Sequence, residues 1–203
     1  MSDYPQIKMA GRAFKERLKK LKPFISTEET RHTLNGVYVV YDNLSITLVA
    51  TNGHILQEQV FDCEVELSEQ YKKFSCILPR TAVEALIKIM PAKKESMFTM
   101  QVVDSDAGQC LRFDFFENEY ITALIDGEFP DYKTIMPRGE VQLQSGLAAG
   151  YLIDALRALG NEPVNICIDK GEDGLKPHLL TSDSVAGVRC VVMPKVAFGA
   201  SNA

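Results

Sequence analysis

The chain has no tryptophan and no apolar run of about 18 residues, the length that a membrane-spanning helix needs. Its N-terminal stretch, MSDYPQIK, lacks the apolar core of a secretory signal peptide. We therefore expect a cytoplasmic protein without a membrane partner. The 203 residues, of which 46% are hydrophobic, suit one or two domains that bury a sizeable core.

Cysteine occurs five times, but no two cysteines stand in a CxxC pair or in another tight cluster. Because zinc sites need closely grouped ligands, we expect no metal site. Two of the cysteines lie in the apolar runs NICI (165–168) and VRCVV (188–192), where cysteine is typically a small buried hydrophobe. The positions are Cys63, Cys76, Cys110, Cys167 and Cys190.

Motifs of nucleophilic and nucleotide-dependent catalysis are also missing, because the chain has no GxSxG, no P-loop and no GxGxxG between a strand and a helix. The three histidines are far apart in sequence. Asp126, Glu128 and Asp131 form a small acidic cluster, but carboxylates in such a turn-rich segment more often cap loops than act as acid and base. We expect neither an enzyme nor a bound cofactor.

Charge is unevenly distributed, although a net charge of −5 and a pI of about 5.3 argue against nucleic-acid binding when taken alone. A helix is predicted over residues 10–22, ended by Pro23. One face carries the apolar residues Ala10, Phe14, Leu18 and Leu21. The opposite face carries Arg12, Lys15, Lys19 and Lys22. Two interpretations remain open: an ordinary solvated basic face, or a surface that contacts phosphates.

A strand–helix–strands pattern occurs three times, with helices that start near residues 10, 80 and 149, about 70 residues apart. The second helix, 79–90, directs Val83, Leu86, Ile87 and Met90 inward. The third helix, 149–159, directs Ala149, Leu152, Leu156 and Leu159 inward. The strands are predicted over residues 36–41, 44–50, 55–65, 74–78, 96–103, 110–116, 119–125, 140–144, 164–168, 178–181 and 187–193. This recurrence predicts an α+β fold of half-units, whose helices pack on one face of antiparallel sheets.

Four segments carry a more specific pattern: ISTEETRHTLNGV (25–37), ATNGHIL (50–56), LIDGEFPDY (124–132) and VVMP (191–194). In this order they resemble the bacterial sliding clamp, the beta subunit of DNA polymerase III. The resemblance implies the DNA-clamp fold. Residues 1–137 would be a middle domain of two half-units, 5–65 and 74–137, and residues 138–203 would be the second half of a final domain.

The resemblance also implies a hydrophobic pocket that takes the clamp-binding peptide motif of polymerases and of the clamp loader. Its positions match Leu34, Thr51, Gly53, His54, Leu56, Pro130, Ile135, Tyr151, Val191, Met193 and Pro194. Taken singly, Leu34 and Val191 are better interpreted as core residues. For DNA, Arg80 matches a basic position on a helix that lines the family's ring, and Arg12, Lys15, Lys19 and Lys22 add to it. Such contacts to double-stranded DNA would be independent of base sequence.

Two functions follow from the resemblance. One is a processivity factor in DNA replication, in which short chains form a homo-oligomeric ring around DNA. The family's ring contains twelve half-units, so a chain with three of them would need about four copies. The alternative is a reduced clamp homologue that binds peptides as an adaptor, regulator or decoy without encircling DNA.

Overall fold

A computed structural model of the protein describes residues 4–42, 44–65, 73–90, 96–106, 108–116, 118–136, 146–168, 177–185 and 187–195. The chain divides into two compact units, Met1–Asp131 (unit 1) and Tyr132–Ala203 (unit 2). The predicted strand at 140–144 lies outside the described residues. Among the residues that the structure describes, no helix combines the length and apolar character needed to cross a membrane.

Three α-helices and fourteen strands are assigned within the described ranges. The helices are α1 (Gly11–Leu21), α2 (Arg80–Ile89) and α3 (Ala149–Leu159). The strands of unit 1 are β1 (Ile7–Ala10), β2 (Gly36–Asp42), β3 (Ser45–Thr51), β4 (Leu56–Asp62), β5 (Glu64–Val65), β6 (Phe74–Pro79), β7 (Met97–Ser105), β8 (Gly108–Phe115) and β9 (Asn118–Ala123). The strands of unit 2 are β10 (Gly146–Leu147), β11 (Asn165–Ile168), β12 (His178–Thr181), β13 (Arg189–Val192) and β14 (Pro194–Lys195).

The repeat predicted from the sequence is confirmed by the elements. The helices begin at Gly11, Arg80 and Ala149, so each start follows the previous one by 69 residues. Each helix is preceded by a short strand and followed by a meander of three antiparallel strands: β2-β3-β4, β7-β8-β9 and β11-β12-β13. We call each strand–helix–meander segment a half-unit. The chain is an α+β protein with antiparallel sheets, as predicted.

The two half-units of unit 1 exchange their first strands. β1 adds to the meander of the second half-unit, giving the sheet order β5-β1-β7-β8-β9. β6 adds to the meander of the first half-unit, giving the order β4-β3-β2-β6. The registers, with Ile7 opposite Met100 and Val39 opposite Cys76, are antiparallel. Neither sheet is therefore built by one half-unit alone.

The helices α1 and α2 pack side by side over the core of unit 1. The Phe14 ring of α1 lies 5.1 Å from the ring of Phe98 and 6.5 Å from that of Phe113, centroid to centroid. Leu18 and Leu21 are fully buried, which confirms the predicted apolar face at these positions. The predicted place of Ala10 in this helix is wrong, because Ala10 is the last residue of β1 and is only half-buried. Pro23 has no backbone N–H, and the α-helix ends at Leu21 and continues as a single 3₁₀ turn over Lys22–Phe24.

The described residues of unit 2 form one half-unit. Helix α3 packs on the β11-β12-β13 sheet around Ala155, Leu159, Leu180 and Val192, while β10 pairs with β14. The predicted inward position of Ala149 is wrong, because this residue is exposed at the first turn of α3. Leu152 and Leu156 are only half-buried. The periodicity located the apolar stripe of α3, but a single half-unit covers only part of it.

The interpretation of the cysteines as buried hydrophobes holds for Cys110 and is wrong for Cys167, which is exposed on β11. Strand residues alternate between faces, so Cys167 lies on the opposite face from Ile166. Cys63, Cys76 and Cys190 are half-buried. Burial raises the pKa of the Cys76 thiol to about 12, which keeps it protonated at neutral pH.

We expect Phe14→Ala to lower the free energy of unfolding of unit 1 by about 3–5 kcal/mol. The substitution leaves a cavity between α1 and the five-stranded sheet β5-β1-β7-β8-β9, where the Phe14 ring packs. Urea unfolding followed by far-ultraviolet circular dichroism measures this. The control is Leu152→Ala, which stands at the corresponding position of α3 in unit 2 and should leave the transition of unit 1 in place. If the free energy of unfolding of Phe14→Ala lay within about 1 kcal/mol of the wild-type value, the packing of Phe14 against this sheet would be contradicted.

Candidate functional site

One helix position is basic in all three half-units. The ninth residue is Lys19 in α1, Lys88 in α2 and Arg157 in α3. All three side chains are exposed. A cation in the last turn also stabilises the helix itself, because it lies near the negative end of the helix dipole. Lys88 was missed in the sequence analysis, and the signal that finds it is the 69-residue spacing.

The predicted DNA-contacting residues of α1 have different surroundings. Arg12 is exposed. Lys19 Nζ lies 2.7 Å from Glu16 Oε1, an exposed ion pair that lowers the pKa of the Glu16 carboxyl. Lys15 Nζ donates a hydrogen bond of 2.8 Å to the carbonyl of Met90, at the end of α2. Lys15 thus ties the two helices of unit 1 together, while Arg12 and Lys19 point outward.

Glu84 connects the remaining two predicted basic residues. Its Oε1 lies 3.1 Å from Lys22 Nζ and 3.3 Å from Arg80 Nε. The hydrogen bond from Lys22 is the main reason that the pKa of the Glu84 carboxyl is lowered, and Arg80 adds to the effect. Arg80 Nη1 also donates to the carbonyl of Ile25 at 3.2 Å. The structure therefore brings Lys22 and Arg80 together at the junction of α1 and α2.

The predicted peptide-contacting residues of unit 1 cluster at the turn between β3 and β4. Thr51 Oγ1 donates to the carbonyl of Ile55 at 2.8 Å and accepts the N–H of Gly53 at 3.1 Å. Asn52 Oδ1 accepts the N–H groups of His54 and Ile55, each at 3.0 Å. Gly53 has φ +89°, a conformation that glycine adopts at little cost. These bonds hold His54 and Gly53 at an exposed tip above the buried Thr51.

Leu34 reaches the same end of the sheet from another segment, and Pro130 stands next to a residue that stacks on β2. Leu34 is buried at the end of the 3₁₀ segment Glu29–Leu34, and Arg31 of that segment donates from Nη1 to the carbonyl of Asn52 at 3.2 Å. Next to Pro130, the Phe129 ring stacks on Tyr38 of β2 with centroids 4.7 Å apart. Leu56 pairs with Thr51 at the start of β4. Unit 1 thus brings Leu34 and the turn residues together from two segments that are distant in sequence, and it holds the residue before Pro130 on β2.

The predicted residues of unit 2 are mostly exposed and apolar. Ile135 is 70% exposed, Tyr151 64%, and Val191 and Met193 61% each. Pro194 pairs with Leu147 across the β10–β14 ladder. Val191 lies on the face of the β11-β12-β13 sheet that points away from α3. The interpretation of Val191 as a core residue is therefore wrong.

In the described part of the chain, no group of three or more His, Cys, Asp or Glu side chains is placed to hold a metal ion. The side chains of Asp126 and Glu128 are exposed in the segment after β9. What the described surfaces offer is exposed positive charge on helices and exposed apolar side chains at strand ends.

Paired half-units with helices on one face of antiparallel sheets define the DNA sliding-clamp fold, and solved clamps share it. The clamp of Bacillus subtilis aligns with a TM-score of 0.71 at 18% identity, over 95% of this chain and 49% of that one. A Caulobacter crescentus clamp aligns at 0.72 and 23% identity, over 93% and 50%. A Helicobacter pylori clamp bound to a DNA ligase peptide aligns at 0.69 and 17% identity, over 95% and 50%.

Sequence narrows this class to one family. The family model described as "DNA polymerase III beta subunit, central domain" matches residues 8–131, and the chain belongs to that family.

Among curated relatives, the beta sliding clamp of Rickettsia felis is 33% identical over 125 residues, covering 61% of this chain and 31% of that protein. The beta sliding clamp of Borreliella burgdorferi is 28% identical over 193 residues, covering 89% and 44%. The chain thus spans about a third to under a half of the length of these relatives.

We expect Asn52→Ala to lower the free energy of unfolding by about 1–2 kcal/mol, because the N–H groups of His54 and Ile55 lose their common acceptor. Asn52→Asp is the matched control, since a carboxylate oxygen can accept the same two bonds next to Arg31. Chemical denaturation of the three proteins tests this. Equal losses for the two variants would show that the acceptor oxygen does not hold the turn.

Proposed function

We propose that the chain is a sliding-clamp-like processivity factor in DNA replication. In this role it tracks double-stranded DNA and binds the clamp-binding peptide motifs of a polymerase or a clamp loader. The observation that carries the proposal is the exposed basic residue at the same position of all three helices, within a fold and a family of DNA clamps. We also propose that residues 1–137 act as a middle clamp domain and residues 138–203 as half of a final one.

The proposed DNA contacts are electrostatic and independent of base sequence. Lysine and arginine on successive helices can neutralise phosphates along the duplex, and each neutralised phosphate releases a condensed counterion. Arg12, Lys19, Lys88 and Arg157 are exposed, and of these Lys19 pairs with Glu16 at 2.7 Å and Arg157 with Asp154 at 3.6 Å. Lys22 and Arg80 share Glu84 in the described structure, so a phosphate would compete with that carboxylate for them. Weak contacts of this kind suit a protein that moves along DNA.

We expect Lys88→Gln to weaken binding to a double-stranded DNA fragment by several-fold at low salt, because one phosphate contact is lost. The slope of log K against log salt should become shallower by about 0.9 for each contact removed. Fluorescence anisotropy across a salt series measures both quantities, and Lys19→Gln should behave in the same way.

The control for this charge change is Arg112→Gln. Arg112 lies on the face of the five-stranded sheet away from α1, where it pairs with Asp114 and Glu119. If Arg112→Gln and Lys88→Gln weakened DNA binding equally, net charge would explain the effect, and the helix positions would have no special role.

The proposed peptide contacts are the exposed residues of the turn in unit 1 and the exposed apolar residues of unit 2. Extended peptides that carry leucine or phenylalanine anchors are recognised by apolar surfaces with few polar groups. A related clamp of known structure is bound to a DNA ligase peptide, which gives a precedent for this chemistry.

We expect Val191→Ala combined with Met193→Ala to weaken binding of a fluorescent clamp-binding-motif peptide by at least about tenfold, because two apolar anchors are removed. The control is Ile121→Ala. Ile121 is an apolar residue on β9 whose exposed fraction, 50%, is similar to those of Val191 and Met193. Titrations followed by anisotropy measure the affinities. Unchanged affinity in the double variant would refute the peptide site on unit 2.

A second candidate is a peptide-binding adaptor or decoy that does not encircle DNA. The weak basic character of α3 favours it, since Arg157 is the last-turn cation there and lies 3.6 Å from Asp154. Retention on closed circular DNA, with release after the circle is cut, separates the two. Release on cutting supports the processivity factor, and peptide binding without retention supports the adaptor.

A further inference from the structure

Unit 1 shows how two half-units complete each other, whereas the described residues of unit 2 form one half-unit. In unit 1 the first strand of each half-unit has two neighbours. β1 pairs on one side with β5 of its own half-unit, Ile7 opposite Val65, and on the other with β7 of the second half-unit. β6 repeats this scheme, with a bridge from Ile77 to Ile125 of its own half-unit and a ladder to β2 of the first.

In unit 2, the first strand, β10, also has a neighbour from its own half-unit. β10 pairs with β14, Leu147 opposite Pro194, as β1 pairs with β5. In the described residues β14 is the sole partner of β10, so the edge that would meet the meander of a second half-unit is open. β11 has the complementary open edge, since its assigned partner among these strands is β12 alone. Open strand edges are ready templates for pairing with another chain.

Ile166 marks the open edge of β11. It lies opposite Leu180 and therefore on the face that packs against α3. Leu180 is fully buried, yet Ile166 is 54% exposed. Core-facing residues of the first meander strands in unit 1, such as Val39 and Met100, are fully buried because an exchanged strand and a second helix cover them. The exposure of Ile166 is what a half-unit without a paired partner among the described residues predicts.

Helix α3 shows the same incompleteness. Leu152 corresponds to the buried Phe14 and Val83 in the 69-residue repeat but is only half-buried. Ile153 corresponds to Lys15 and Glu84, and both of these reach across to the other helix, to Met90 and Lys22 respectively. Ile153 is apolar and 47% exposed. The position that joins α1 to α2 in unit 1 thus presents an uncovered isoleucine in α3.

We propose that the half-unit formed by the described elements from β10 to β14 pairs with the same half-unit of a second copy of this chain. β10 of each copy would extend the β11-β12-β13 sheet of the other, and the two α3 helices would pack side by side. A second copy fits because the half-units of unit 1 are related by the same repeat, so one twofold axis satisfies both open edges at once.

This pairing gives each pair of chains three complete clamp domains, two within the chains and one shared. The inference goes beyond the proposed function, because it holds whether or not the assembly encircles DNA. The interface between the two copies would contain Ile153, Ile166 and the edges of β10 and β11. Val191 and Met193 would lie outside this interface.

The test is sedimentation velocity over a range from about 1 to 100 µM. Wild type should sediment as at least two 22.6 kDa chains. Ile166→Lys should halve the mass or raise the dissociation constant at least about 100-fold, because pairing would bury an unpaired ammonium. The matched control is Val191→Lys on the opposite face of the same sheet, which should keep the wild-type mass. A single chain at every concentration, or an unchanged mass for Ile166→Lys, would overturn the proposal.

A second variant and a second measurement guard against misfolding of Ile166→Lys. Ile153→Glu changes an exposed helix residue and should also halve the mass, because its carboxylate would face the negative end of the other α3. In wild type, amide hydrogen exchange in residues 165–168 should slow with rising concentration, as β11 gains a neighbour. Exchange that is independent of concentration would contradict the pairing.

Loss of DNA or peptide binding with the wild-type mass intact would count against the proposed function alone. The reverse result, a single chain that still binds DNA and peptide, would count against the pairing alone. A wild type that stays single but associates with the half-domain of a longer clamp would also overturn pairing with a second copy.

Discussion

The exchange of first strands between half-units is the interaction on which the described structure depends. In unit 1, β1 closes the sheet of the second half-unit and β6 closes the sheet of the first. The exchange places α1 and α2 side by side, and Phe14 can then pack against Phe98 and Phe113 of the other half-unit. The same rule explains what unit 2 leaves uncovered, since one half-unit alone offers two open strand edges and one unpartnered helix face.

Most of the fold could be predicted from the sequence, because periodicity reports elements directly. Helix α3 begins and ends where it was predicted, and the 69-residue repeat was visible as a spacing of about 70. The exchange of β1 and β6 could not be derived from periodicity, since a pattern shows which face of a strand is apolar and not which strand lies beside it. Ala149 was misplaced for a related reason, because an apolar stripe is buried only where a partner covers it.

The candidate site was predicted unevenly. Lys88 was missed because α2 carries few charges, and its importance shows only when the three helices are aligned by their starts. The partnerships of Lys15 with Met90 and of Lys22 with Glu84 depend on the packing of two helices far apart in sequence, which no local pattern reveals. An acidic chain can still present a basic surface, because exposed Lys19 and Lys88 stand on helices whose acids are few.

The register that sets Ile7 opposite Met100 also determines the order in which the protein can fold during synthesis. When β2, β3 and β4 leave the ribosome, the edge of β2 has no neighbour until β6 follows. Strand β1 can pair only with the two residues of β5 until β7 is made. Contacts of such long sequence separation are slow to form, because the chain between them must lose much of its entropy first. Until then the nascent chain exposes two strand edges, and protection of these edges becomes a requirement for its biogenesis.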